Sequence, residues 1–322
     1  MFVHCNNKEN GLNDRMESRN IALGVVLSLQ SILGILGNFS LLLYYLLLYY
    51  NEGTLKTIDF ILTHIFIANS LIILSKGMLQ VTGAFEWNQF FNDFGCKLIL
   101  YILRLGRSMS ITTTCLLSVF QAITISPRKS CWKDLMVKNP RFTGFSIPLC
   151  WILYMIMNLI FPVYTSTRRN SKNMTQKRSF EFCYSSLDHD TIVESLYMVF
   201  WVLPEVLFSV LLVSSSSFMI IVLYGHKKRV QHIHSSHSSH RTSPESKATQ
   251  NILALVCTFL TFYSLSSILQ GCIALSHNPS WWLINTTAII SMCFPTLGPF
   301  VMNHDATVPR LHFSWIRNIK IL

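Results

Sequence analysis

Charge is scarce in this chain. Asp, Glu, Lys and Arg supply 13% of its 322 residues, whereas hydrophobic types supply 51% and the mean hydropathy is positive. A soluble domain is about one-quarter charged, so this composition excludes a soluble globular class. The strict in–out alternation of about ten-residue strands that marks a transmembrane barrel is absent too. Missing as well are the signatures of common enzyme sites: there is no phosphate-binding Gly-rich loop, no H-E-x-x-H, no G-x-S-x-G and no Cys-x-x-Cys. The internal duplication of hydropathy and the paired Gly/Pro-broken helices expected of many transporters are not found either. The opening residues, MFVHCNNKENGLNDRMESRN, lack the basic-then-apolar pattern of a signal peptide, so the first apolar run is expected to direct insertion.

What the chain does have is a series of apolar runs near the roughly 20 residues that a helix needs to cross a bilayer. They fall at about 21–49, 58–81, 98–125, 142–163, 191–224, 251–275 and 281–302. The expectation is an all-α membrane protein, a seven-helix transmembrane bundle over residues 21–303. An odd number of spans puts the termini on opposite faces, and Lys/Arg excess in short loops marks the cytoplasm. With the N-terminus extracellular and the C-terminus cytoplasmic, the inner connections and tail hold more basic residues than the outer ones. Residues 1–20 then form a short, flexible extracellular N-terminus, loop 164–190 is extracellular, loop 225–250 is cytoplasmic, and 304–322 is a cytoplasmic tail. The net charge of +11 is carried by the connections, which argues for membrane flanks and against nucleic acid as a partner.

Of the nine cysteines, Cys115, Cys150, Cys257 and Cys293 lie inside apolar runs, where a free thiol behaves as a small hydrophobe. Cys96 opens the third span and Cys183 lies in the loop between spans four and five, so both fall on the outer face, and a disulfide between them would tie that loop over the bundle. The same loop holds the sequon Asn173-Met174-Thr175, an expected glycosylation site. The other two sequons are unsuited, because Asn38 is inside span one and Asn285 lies too close to the membrane.

Arg104 and Arg107 sit one helical turn apart on one face of the third span, roughly 12 and 16 Å below Cys96. Ionised groups at that depth must face the bundle interior, a watery cavity or a partner. One reading is a small-molecule cavity with a positive wall; the other is a packing salt bridge with Glu205 on span five, and both hold if a ligand competes with Glu205. Pro204 is expected to kink span five, and Trp201, one turn above, either lines the same cavity or packs at an interface. Lys76 and Lys97 are expected to snorkel, and His64 and Asn69 to be interhelical hydrogen-bond partners. The five-histidine connection from Tyr224 to Gln250 lacks the cysteine or carboxylate frame of a metal site, and no metal or cofactor is expected. Its basic stretch His226, Lys227, Lys228 and Arg229 suits anionic lipids or a cytosolic partner.

The third span leaves the membrane through "SITTTCLLSVFQAITISP", with no ionised side chain between Arg107 and Arg128. The commonest family of seven-helix receptors has an acidic residue, Arg and Tyr at this exit. "LLSVFQAITISP" (116–127) instead resembles the corresponding exit of vomeronasal type-1 receptors. Further collinear blocks agree: "IANSLIILSKG" (67–77), "RSMSITTTC" (107–115), "HKKRVQHIHS" (226–235), "SPESKATQNILALV" (243–256), "TFYSLSSIL" (261–269) and "PTLGPFV" (295–301). The resemblance implies a chemosensory G-protein-coupled receptor for small pheromones or odorants that acts through an inhibitory-class heterotrimeric G protein at the plasma membrane. It also matches Cys96 and Cys183 to the family's extracellular disulfide and Asn173 to its loop glycan.

Span five departs from the pattern, with "MVFWVLPE" (198–205) where relatives often have "MVFRD", and Gly225 stands where "LYRH" is usual, so pocket detail does not carry over. On this reading a G protein would meet Gln121, Thr124, Pro127 and the 226–229 stretch, and Gln121 and Thr124 would stand in for the missing charged latch. The alternatives are a bitter-taste-type receptor, a seven-helix channel or transporter, and a receptor product that does not signal.

Overall fold

The structure, a computed structural model, describes residues 2–84, 93–125, 140–159, 165–166, 186–187, 203–233, 244–276 and 280–303. Among the described residues seven helices follow in chain order: α1 (Phe2–Glu52), α2 (Thr57–Ala84), α3 (Asp93–Ile125), α4 (Pro140–Asn158), α5 (Leu203–Ile233), α6 (Pro244–Leu275) and α7 (Trp281–Asn303). Six contain stretches long and apolar enough to cross a membrane, and α4 carries a shorter apolar stretch, Phe142–Asn158. It closes at Asn158, where the Leu159 N–H donates to the Ile156 carbonyl at 3.1 Å. Between α4 and α5 the two-residue strands β1 (Thr165–Ser166) and β2 (Ser186–Leu187) pair antiparallel.

The N-terminal stretch differs from expectation. The helix reaches back to Phe2, and residues 2–20 contain no proline to interrupt it. At the far end Gly53 stops α1: it adopts φ +71° and its N–H caps the Tyr49 carbonyl at 2.8 Å, a left-handed cap that favours glycine.

Pairings across the bundle fix the helix directions. Gly34 meets Ile73 while Tyr45 stacks on Phe66, so α1 and α2 run antiparallel. Arg107 reaches Glu205 and Ser118 reaches Ser215, so α3 and α5 run parallel. Phe259 packs on Phe294 and Leu255 lies near Gly298, so α6 and α7 are antiparallel.

The centre is α3, whose apolar stretch is 72% buried against 22% for those of α1, α5 and α6. It also carries many Ser and Thr hydroxyls, which the bilayer tolerates because several of them bond back to the helix. Thr113 and Thr114, for example, donate to the carbonyls of Met109 and Ser110 at 2.6 and 2.7 Å. Close approach to α2 depends on Gly106: a Cβ there would sit 3.0 Å from the Ala68 carbonyl and 3.1 Å from Ile72.

Prolines 295 and 299 interrupt the hydrogen bonding of α7. Pro299 has no N–H for the carbonyl four residues back, that of Pro295, and Asn38 on α1 supplies the donor instead at 2.8 Å. Its second amide proton goes to Gly34 at 2.7 Å. Asn38 is fully buried by this, which removes its sequon from consideration as a glycan site.

Candidate functional site

A polar cluster forms around Arg107. Its Nε lies 3.4 Å from Glu205 Oε1 on α5. One terminal nitrogen donates to Gln270 Oε1 at 2.8 Å, the other to Ser267 Oγ at 3.0 Å, both on α6. The guanidinium also lies over the Tyr263 ring, 4.9 Å from its centroid. A planar cation with five donors suits this task, since it engages a carboxylate, an amide, a hydroxyl and a π-face at once. The side chains of Arg107 and Glu205 are about a quarter exposed, so the pair is neither sealed nor fully solvated.

Local sequence explains the geometry. Tyr263, Ser267 and Gln270 recur at i, i+4 and i+7, which puts them on one stripe of α6 facing Arg107. Gln270 is itself held by Ser266, whose Oγ accepts from its Nε2 at 3.1 Å. Glu205 lies in the first turn of the described α5, and Pro204 beside it falls in the same turn, where a helix makes no use of the N–H that proline lacks. The residues against which a kink would be judged lie outside the described ones.

The packing salt bridge weighed from sequence is thus present. The sequence reading missed Tyr263, Ser267 and Gln270; polar side chains at helical spacing in an otherwise apolar span were the available signal. Arg104 lies on α3 one turn from Arg107 and is half-buried, with electrostatic or hydrogen-bonding contacts of its own. Trp201 lies outside the described residues.

Near the opposite end of α3 the contacts are neutral. Ser118 Oγ is 2.7 Å from Ser215 Oγ and 3.5 Å from Ser216 Oγ on α5. Gln121 is buried, whereas Thr124 is exposed and donates to the Phe120 carbonyl of its own helix at 2.7 Å. Pro127 lies outside the described residues. His226, Lys227, Lys228 and Arg229 fall on the last turns of α5, and their side chains are outside the described set.

His64 and Asn69 act as interhelical partners. The Trp151 indole of α4 donates to His64 Nδ1 at 3.2 Å, and Ser110 of α3 donates to Asn69 Oδ1 at 3.1 Å. Cys115, Cys150, Cys257 and Cys293 are free, as expected of thiols in apolar runs. Cys96 is buried and disulfide-bonded; Cys183 and Asn173 lie outside the described residues. No group of His, Cys, Asp and Glu suited to a metal ion occurs among the described residues.

Six described helices long and apolar enough to span a membrane and a seventh, shorter apolar one, joined inside by hydroxyl, amide and ionic contacts, define a multi-pass membrane protein of the seven-helix class. Comparison with known proteins narrows the class. The vomeronasal organ pheromone receptor family matches residues 21–314. Vomeronasal type-1 receptor 4 of Pongo pygmaeus is 47% identical over 94% of this chain and 100% of its own length; its human counterpart is 46% identical over the same shares. Vomeronasal type-1 receptor 90 of Rattus norvegicus is 30% identical over 84% of this chain and 86% of its own. The chain belongs to the vomeronasal organ pheromone receptor family, a family of multi-pass receptors at the cell surface.

Proposed function

We propose that this receptor binds a small organic pheromone or odorant in the half of the bundle that holds Arg107, and passes the event to an inhibitory-class heterotrimeric G protein at the other end. The observation that carries this reading is the Arg107 cluster, because one side chain joins α3 to α5 and α6. A ligand that binds one helix arrangement better than another shifts their populations by that difference alone. One that takes a hydrogen bond from Arg107, or displaces Glu205, removes a link between the three helices and lets their far ends part.

In the proposed orientation the N-terminus and loop 164–190 are extracellular, Cys96 pairs with Cys183, and Asn173 carries a glycan. The G protein then meets Gln121, Thr124, Pro127 and the basic stretch His226, Lys227, Lys228 and Arg229, which also lies against anionic inner-leaflet lipids.

The test is a screen of volatile and steroid-like molecules, acidic and neutral, in cells that express the receptor with an inhibitory-class G protein. A G-protein-dependent response that Arg107→Ala weakens more for acidic than for neutral ligands supports the reading. Silence toward every ligand, with surface receptor verified by a tag at the N-terminus of unpermeabilised cells, would overturn it. An ion current independent of G protein would favour a channel.

A further inference from the structure

Tyr263 is the member of the Arg107 cluster whose bonding is incomplete. Its ring carries the cation on its face, with the guanidinium 4.9 Å from the centroid. Its hydroxyl, by contrast, is buried and forms no hydrogen bond among the described residues. A hydroxyl shut away from water without a partner is costly, and the more so in a bilayer interior. The group lies within electrostatic reach of both Arg107 and Glu205. Arginine can only donate, so the partner suited to the unused O–H is the Glu205 carboxylate, which accepts. In the state described, that carboxylate is turned to Arg107, with Nε and Oε1 3.4 Å apart, longer than the about 2.7–2.9 Å of a charge-assisted hydrogen bond. The Glu205 side chain is also about a quarter exposed, so packing does not lock it in place.

We propose that Glu205 has two stations, Arg107 in the state described and the Tyr263 hydroxyl once a ligand has taken its place on Arg107, which makes Tyr263 a positioning residue of the switch. Arg107 belongs to α3, Glu205 to α5 and Tyr263 to α6. The exchange therefore does not loosen all three helices alike. It releases α3 from α5 and ties α5 to α6 instead, so that α5 and α6 move as a pair relative to α3. The inference rests on the reading of the Arg107 cluster as the ligand's site and deepens it, by naming the bond that replaces the one a ligand breaks.

Truncation of Arg107 imitates the displaced state with no ligand present, so the test stands apart from the ligand screen and a silent screen leaves it intact. Thermal unfolding of the full-length receptor in lipid nanodiscs is measured with and without Tyr263→Phe, which keeps the ring and removes only the hydroxyl. In the otherwise wild-type receptor the Tm holds or rises, because the hydroxyl bonds nothing there. In Arg107→Ala the same change lowers the Tm by about 4 °C, as expected for one hydrogen bond to a charged group in a chain of this size. In Arg107→Ala/Glu205→Ala that fall disappears. Where Arg107→Ala does not fold, Arg107→Met, which keeps bulk and gives up the donors, takes its place with the same expected outcome. A fall in the wild-type background as large as that in the Arg107 variant would overturn the proposal and mark the hydroxyl as merely structural. No fall in the Arg107 variant, or a fall that persists without Glu205, would overturn it as well.

Discussion

The two ends of α3 hold α5 by different means. Around Arg107 the link is ionic and extends to α6; around Ser118, eleven residues and about 16 Å further along, it is a pair of hydroxyls. An ion pair is sensitive to any competing charge or hydrogen bond and to the water that reaches it. A hydroxyl pair in an apolar setting is a weak contact that reforms with little penalty. The difference teaches where a charged latch can sit once the exit of α3 carries no charge. In this protein it lies in the half of the bundle to which we assign the ligand, whereas toward the G-protein end the described contacts between α3 and α5 are neutral.

The largest expected effect comes from breaking the ionic end alone. Glu205→Ala leaves Arg107 without its carboxylate, and the expected loss is about 2–3 kcal/mol, between the costs for exposed and fully buried pairs because both side chains are partly solvated. Thermal unfolding of the purified receptor checks it. The double variant with Arg107→Ala should recover much of the loss, and strictly additive effects would mean that the two groups are uncoupled.

Next comes the spacing that positions Arg107: Gly106→Val drives a branched side chain against the Ala68 carbonyl and Ile72, at an expected cost of about 2 kcal/mol in the same assay. Gln270→Leu removes one neutral acceptor from the cation and should lower stability by about 1.5 kcal/mol while raising basal G-protein activation. Unchanged basal activity would separate the cluster from the switch. The smallest effect is expected at the neutral end, where Ser118→Ala should cost about 0.6 kcal/mol. A loss there as large as that of Glu205→Ala would erase the contrast between the two ends.

Much of this was legible in the sequence, because a bilayer forces helices to announce themselves as long apolar runs. The spans at 58–81 and 281–302 came within a few residues of α2 and α7. The Arg107–Glu205 pair was readable for a related reason: two opposite charges are conspicuous where charge is expensive. Less legible were the partners on α6. Ser267 and Gln270 are neutral, and their spacing says which stripe they share but not which neighbour that stripe faces. The continuation of α1 to Phe2 is not legible in residues 2–20, because a polar stretch of mixed charge fits coil as well as a helix that no proline ends.

The bond from Asn38 to the Pro295 carbonyl has a bearing on biosynthesis. It joins α1 to α7, at a carbonyl that Pro299 leaves without its helical donor. That proton of the Asn38 amide can reach the Pro295 carbonyl only once α7 has docked on α1. The contact therefore ties the packing of α1 to the presence of α7: a chain that stopped before α7 would lack this acceptor for its first helix.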